Sequence, residues 1–444
     1  MARRTAGHNK HAFNFDVEID MSSNWRKWIT LALCGIAGSA IYKLPYLRET
    51  YYEAMQQATG ATNAELGFLM TAYGLVNFLL YLPGGWAADR FSARKLMTFS
   101  LISTGISGFY YATFPSYTMI VLLHALWAVT TVFTFWAVCV RIIRTLGSSE
   151  QQGRLYGYWF LGKGLTSIVL GFLSVPLFAK FGEGVEGLRA TIIFYSVVTV
   201  LTGVLAWFVC EDETHNEDKS NFRLADMAVV LKMPTVWLAG IVTFSMWSIY
   251  IGFGMVTPYL TQVLHMGESE VAIASIIRAY VLFAMGGLIG GQLADRCASR
   301  TRFMIYAFIG MIVFTTVYCF LPGDTRYVTI ALANMVALGV FIYSANAVFF
   351  SIIDEVKIPA KVTGTAAGLI SLLTYFPEIY CYTMVGNMVD RKPGIAGYQD
   401  VFMFMLGCAF VGLVAALVLQ HVNRKNRVNA EATKAQQANV DCAS

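Results

Sequence analysis

The chain has 444 residues, of which 57% are apolar and only 13% charged, and it carries a formal net charge of +5. An ordinary soluble domain is about 25% charged. With a mean hydropathy of +0.57, the composition excludes a soluble globule, a disordered chain and a disulfide-framed secreted domain. It leaves an all-α integral membrane protein. The basic excess sits in short clusters between apolar runs, as membrane topology requires, and so does not point to nucleic acid. The eight cysteines show no CxxC pairing, and Cys34, Cys139, Cys319, Cys381 and Cys408 lie in apolar runs as small hydrophobes. No metal site or cofactor is expected.

A transmembrane helix needs about 20 mostly apolar residues. Residues 1–27 are polar and charged, and no short apolar core with a small-residue cleavage site follows them. The sequence therefore predicts a retained first helix and no removable signal peptide. Twelve apolar runs come next. Six lie in a first half, 28–210: about 28–47, 65–88, 96–114, 118–143, 154–178 and 188–210. Six lie in a second half, 235–420: about 235–261, 270–293, 302–321, 327–352, 363–387 and 398–420. A charged linker, 211–234, joins the halves, and a tail, 421–444, follows. If both termini are cytoplasmic, 22 Lys and Arg fall on the cytoplasmic side and six outside, as the positive-inside rule demands. Four basic residues remain within the predicted spans: Lys43, Arg141, Lys163 and Arg278.

The halves echo each other. Gly85-Trp-Ala-Ala-Asp89-Arg90, followed by Arg94 and Lys95, returns as Gly291-Gln-Leu-Ala-Asp295-Arg296, followed by Arg300 and Arg302. Gly153 and Gly157 return as Gly364 and Gly368, and Pro45-Tyr46-Leu47 as Pro258-Tyr259-Leu260. This doubled G-x-x-x-D-R string resembles that of the major facilitator superfamily. "IYKLPYLRETYY", "SSEQQGRLYGY" and "PGIAGYQDVF" resemble the YihN-like inner-membrane transporters of enteric bacteria, near the organophosphate:phosphate antiporters. The resemblance implies two six-helix bundles related by a pseudo-two-fold axis, a midplane site between them and rocking-type alternating access. It also implies a gate. Asp89 with Arg94, and Asp295 with Arg300, would latch the cytoplasmic side against helix N-termini near Gly364 and Gly153. Otherwise these clusters set topology alone.

A charge at the bilayer centre costs at least about 2.5–3.5 kcal/mol, so such residues face a wet cavity or a partner. By position along their helices, Lys43 and Lys163 resemble substrate-facing positions of the organophosphate antiporters. The second arginine of that pattern falls at Tyr250, so the two-arginine clamp for phosphate is broken. Lysine is a point charge, not a planar fork. The expected substrate is therefore a small organic anion such as a sugar acid, sulfonate or other carboxylate-like solute. Lys43, Lys163 and Arg278 are the expected anion contacts, and Tyr42, Tyr46, Trp136, Tyr250, Tyr343, Asn346 and Tyr375 the further cavity candidates. Snorkelling to a membrane surface is the other reading for Lys43 and Arg141. Glu378 is the lone acid in the apolar spans. It either pairs with Lys163 or Arg278, or carries a proton, or serves as a static ion pair. His124 reads as a helix contact.

These residues predict a secondary transporter in a bacterial inner membrane, working as a monomer and coupled to protons or to a counter-anion. The alternative is a transporter-like sensor of a sugar phosphate or related anion. No nucleotide loop, metal-spaced cluster or Ser/His/Asp set suggests an enzyme.

Overall fold

The computed structural model describes residues 25–148, 151–211, 229–297, 299–355 and 363–441. Every regular element among them is helical. The helices are α1 (Trp25–Lys43), α2 (Tyr52–Thr59), α3 (Asn63–Arg90), α4 (Ala93–Tyr111), α5 (Tyr117–Thr145), α6 (Gln152–Lys180) and α7 (Gly184–Val209). In the second half they are α8 (Pro234–Gln262), α9 (Glu268–Ala294), α10 (Arg300–Phe320), α11 (Val328–Val348), α12 (Ile352–Glu355), α13 (Thr363–Tyr375), α14 (Cys381–Arg391) and α15 (Ile395–Asp441). Nine helical segments of the described residues are long and apolar enough to cross a membrane. Helices also occupy the other three expected spans: α1, α4, and the pair α13 and α14.

The starts follow local chemistry. Thr62 and Glu65 form a reciprocal capping box at α3, and Ser92 caps α4. Pro377 interrupts the eleventh expected span: residues Phe376–Ile379 form a 3-10 turn between α13 and α14. Two helices contain π-turns, Val129–Trp136 within α5 and Ile277–Val281 within α9. Such bulges shift side chains out of the helical register and often mark functional positions.

Packing between helices rests on small residues and hydroxyls, as membrane helices require. A Cβ at Gly105 would fall 2.6 Å from Val200 Cγ2, so α4 and α7 touch nearly backbone to backbone. Ser100 and Thr134 bond at 2.7 Å, as do Thr104 and Thr130. Large apolar side chains such as Phe208 and Phe320 point outward, 78% and 79% exposed, where lipid would cover them.

One apolar core joins both halves. It runs from Leu47, Tyr51 and Leu69 to Val256, Tyr259 and Val385. A second core, around Cys34, Met97, Phe135 and Trp159, belongs to the first half alone. The molecule thus has an end where its halves merge, marked by Arg48, and an opposite end marked by Gly85.

Candidate functional site

A cavity of about 850 Å³ lies between the halves. It runs from Glu49, towards the Arg48 end, to Tyr81, Phe160 and Thr365, towards the Gly85 end. Its mouth and its floor differ. At Gly85, Gly153, Gly157, Gly291 and Gly368 an added Cβ would meet nothing within 4 Å. The Arg48 end is closed by bonds between the halves. Arg48 is 3% exposed and donates to the Leu66 carbonyl at 3.1 Å, with its guanidinium beside the rings of Tyr52 and Tyr382. Asp390 accepts from the Asn63 and Ala64 amides at 3.1 and 2.7 Å, and from Asn63 Nδ2 at 2.8 Å. Thr71 and Thr383 bond at 2.8 Å, and Gln262 donates to Glu53 and Gln56.

The two lysines reach the cavity in different ways. Lys43 ends α1; its Nζ donates to the Ser167 carbonyl at 2.8 Å and lies 3.6 Å from the centre of the Tyr280 ring. Lys163 is positioned by the close approach of α6 to α1. A Cβ at Gly35 would fall 3.1 Å from Gly162, and the Lys163 stem passes beside Gly38. Trp159 fixes this register by donating to the Cys34 carbonyl at 3.0 Å. The Lys163 Nζ then sits 4.7 Å from the Tyr42 ring centre and 5.5 Å from that of Trp136. It has no carboxylate within 4 Å among the described residues. The faces of both rings attract an ammonium without neutralising it.

Glu378 lines the opposite wall, in the turn made by Pro377. Its Oε1 accepts from the Trp247 indole at 3.1 Å. It makes no ion pair with Lys163, Arg278 or any other cation among the described residues, so of its alternative readings the ion pair is not formed in this arrangement. Trp247 is in turn flanked by Tyr250 at 5.0 Å and Tyr375 at 4.8 Å between ring centres.

Of the expected contacts, Tyr42, Tyr46, Lys43, Trp136, Lys163, Tyr250, Tyr375 and Glu378 line the cavity. Arg278, Asn346 and Tyr343 do not. Arg278 sits in the π-turn of α9, 1% exposed, and donates to Glu49 Oε2 at 2.7 Å and to the Glu49 carbonyl at 3.2 Å. That bridge ties α9 to the turn after α1. Tyr343 is buried behind Tyr250. Arg141 bonds the Ala88 and Phe91 carbonyls at the end of α3, and so closes a helix rather than entering the cavity. His124 bonds the Ile120 carbonyl and packs on Trp127.

Sequence reasoning passed over Glu49, Asn77, Trp247 and Tyr280, all of which line the cavity. Asn77 had a legible signal, a lone amide within an apolar run. Glu49 had none, because it reads as a loop residue. Of the repeated motif, the side chains of Asp89 and Asp295 lie outside the described residues. Arg94 stacks 5.0 Å from the Trp207 ring, Arg90 and Arg296 are exposed, and the Arg300 amide is held by Glu355.

The family model "Major Facilitator Superfamily" matches residues 29–379. The chain is 33% identical over 402 residues to the inner membrane protein YihN of Escherichia coli (strain K12), covering 89% of this chain and 95% of that one. It is 22% identical to the probable sulfoacetate transporter SauU of Cupriavidus necator, covering 82% and 87%. A solved structure of the nucleoside transporter NupG superposes with a TM-score of 0.73 at 13% identity, over 89% of this chain and 99% of that chain. The helical architecture, the repeated motif and these matches agree: the chain belongs to the major facilitator superfamily.

Proposed function

We propose that the protein is a secondary transporter that carries a small organic anion across a bacterial inner membrane by alternating access between its two halves, 28–210 and 235–420, joined by 211–234. The observation that carries this reading is Lys163. Its ammonium faces a wide cavity between the halves with aromatic rings beside it and no described carboxylate to cancel it. A cation held there at the cost of desolvation is stabilised when an anion arrives. Lys43, which also lines the cavity, adds positive potential, although its ammonium donates to the Ser167 carbonyl. The likeness to a probable sulfoacetate transporter, at 22% identity, supports a sulfonate or carboxylate head group beside the phosphate that the probable hexose phosphate transport proteins, at about 20%, would suggest, and Tyr250 in the place of a second arginine favours the former.

The lysine and arginine bias supports a cytoplasmic side that holds both termini and the Gly85 end. The arrangement described is then inward-open, with the outer side locked. Glu378 is the candidate proton carrier, since it is the cavity carboxylate without a described cationic partner. Exchange for a second anion is the other way to complete the cycle. The Gly85 and Gly291 motifs, with Asp89, Arg94, Asp295 and Arg300, are the candidate inner gate.

The test is ligand binding by the purified protein, read as a thermal shift with sulfonates, sugar acids and sugar phosphates. We expect carboxylates or sulfonates to give the largest shift, and Lys163→Ala to remove it while the ligand-free midpoint moves little. A shift given best by phosphates and unchanged in Lys163→Ala would defeat the proposal.

A further inference from the structure

The cavity's two walls differ in what they ask of a ligand. Lys163 offers donors. Across from it, the wall offers acceptors. Glu378 Oε1 is met by the Trp247 indole, and Oε2 accepts no bond from a described residue. Asn77 is a second acceptor: its Oδ1 is buried and has no hydrogen-bond partner. The two belong together. Gly74 lies one turn before Asn77 on the same face of α3, and a methyl group at Gly74 would come within 2.9 Å of the Glu378 Cβ. A carboxylate and an orphan amide oxygen thus share one patch of the cavity, where α3 of the first half meets the Pro377 turn of the second, while the anion contact, Lys163, is carried by α6.

We propose that the transported anion is two-ended: its anionic group meets Lys163, and its far end carries hydrogen-bond donors, hydroxyl or ammonium, that meet Glu378 and Asn77. This rests on the anion-transport reading and narrows it. A plain apolar anion would satisfy Lys163 but lay a donor-free chain against the Glu378 carboxylate, stripping it of water, and would leave the buried Asn77 oxygen still unmatched. Sites built to hydrogen-bond a substrate group reject analogues that lack it far more strongly than apolar pockets reject a missing methylene. The faces of Trp247 and Tyr375 suit either donor type, since they pack against C–H surfaces of a polyol or attract an ammonium.

The experiment titrates the purified full chain with three six-carbon anions: hexanoate, a polyhydroxylated six-carbon acid, and 6-aminohexanoate. A donor-bearing anion should bind at least tenfold more tightly than hexanoate. Asn77→Leu should shrink that ratio at least threefold. Glu378→Gln should shrink the preference for 6-aminohexanoate more than that for the polyhydroxy acid, because the amide keeps an acceptor but loses the charge. Hexanoate binding as tightly as the other two to the unmodified protein overturns the two-ended substrate and leaves the anion reading standing. So does a donor preference that both variants leave intact. Binding of all three that survives Lys163→Ala overturns the anion reading instead, and binding of none overturns both.

Discussion

Among the described residues, two of the helix N-termini held by a carboxylate from a distant segment, those of α3 and α10, do different work because of their surroundings. Asp390, at the end of α14, holds the Asn63 and Ala64 amides of α3 in the other half. Glu355, in α12, holds the Arg300 and Thr301 amides of α10, together with the Ser299 and Thr301 hydroxyls, within its own half. The chemistry is the same: orphan N–H groups and a helix dipole met by a negative charge. The mechanical consequence is opposite. The first bond must break if the Arg48 end is to open, and the second survives any movement of one half against the other. Glycines repeat the contrast. A Cβ on Gly67 would fall 2.2 Å from the Tyr382 carbonyl, and one on Gly386 2.3 Å from that of Asn63, whereas Gly85 and Gly291 face open space. The Arg48 end is a fitted joint between halves, and the Gly85 end holds the parts of a joint not yet made.

The largest effect should come from the Arg278–Glu49 bridge, a deeply buried ion pair between the halves, with side chains 2% and 12% exposed. Removing one partner of a buried pair costs roughly 3–5 kcal/mol because the other is left uncompensated. Arg278→Ala should therefore release the Arg48 end. Thr257, buried there, reports it once replaced by cysteine: its labelling by a membrane-impermeant thiol reagent should rise more than tenfold. Adding Glu49→Gln should return part of the loss. If labelling stays flat while anion binding disappears, Arg278 grips substrate and is no lock.

The carboxylate caps give a smaller, paired effect. Loss of a cap costs about 1 kcal/mol, close to fivefold in an equilibrium. Asp390→Ala should raise labelling at position 257 about fivefold, and Glu355→Gln should not change it. Glu355 has its own signature in pH. Burial pushes its carboxyl up, but bonds from Thr301, Arg300 and Ser299 outweigh that and hold it below the usual carboxylate range. A depressed folded-state pKa gives stability that is present above the unfolded value, about 4.3, and is lost as pH falls through the folded value. The melting temperature of the unmodified protein should therefore drop across that acid window more steeply than that of Glu355→Gln. Parallel curves would show that the cap contributes nothing.

Much of this was legible in the sequence because membrane physics writes in large letters. Apolar runs, basic loops and the doubled Gly-Asp-Arg string placed the helices and the family before any coordinates. Lys43, Lys163 and Glu378 were legible for the same reason: a charge in an apolar run is conspicuous. Arg278 shows the limit. Its burial was evident, but its partner, Glu49, sits in a turn where an acid attracts no notice, so a tie between halves read as a substrate contact. Asn77 stands out as a lone amide in an apolar run and Trp247 does not, but for both only the third dimension brings them beside Glu378. Pairing across 229 residues, as between Glu49 and Arg278, leaves no mark in local pattern.

The smallest expected effect tests the unmade joint. Gly85 lies within α3, where an alanine gains up to about 1 kcal/mol of helix propensity over glycine. Its Cβ would meet nothing here, so Gly85→Ala should leave the melting temperature unchanged or slightly raised. Its cost falls on the other state. If the Gly85 end closes as tightly as the Arg48 end does now, the added methyl has no room there, and each opening of the Arg48 end becomes rarer. Labelling at position 257 should then fall two- to fivefold below that of the unmodified protein. A lowered melting temperature with unchanged labelling would mean that Gly85 is already packed in this state and takes no part in a gate.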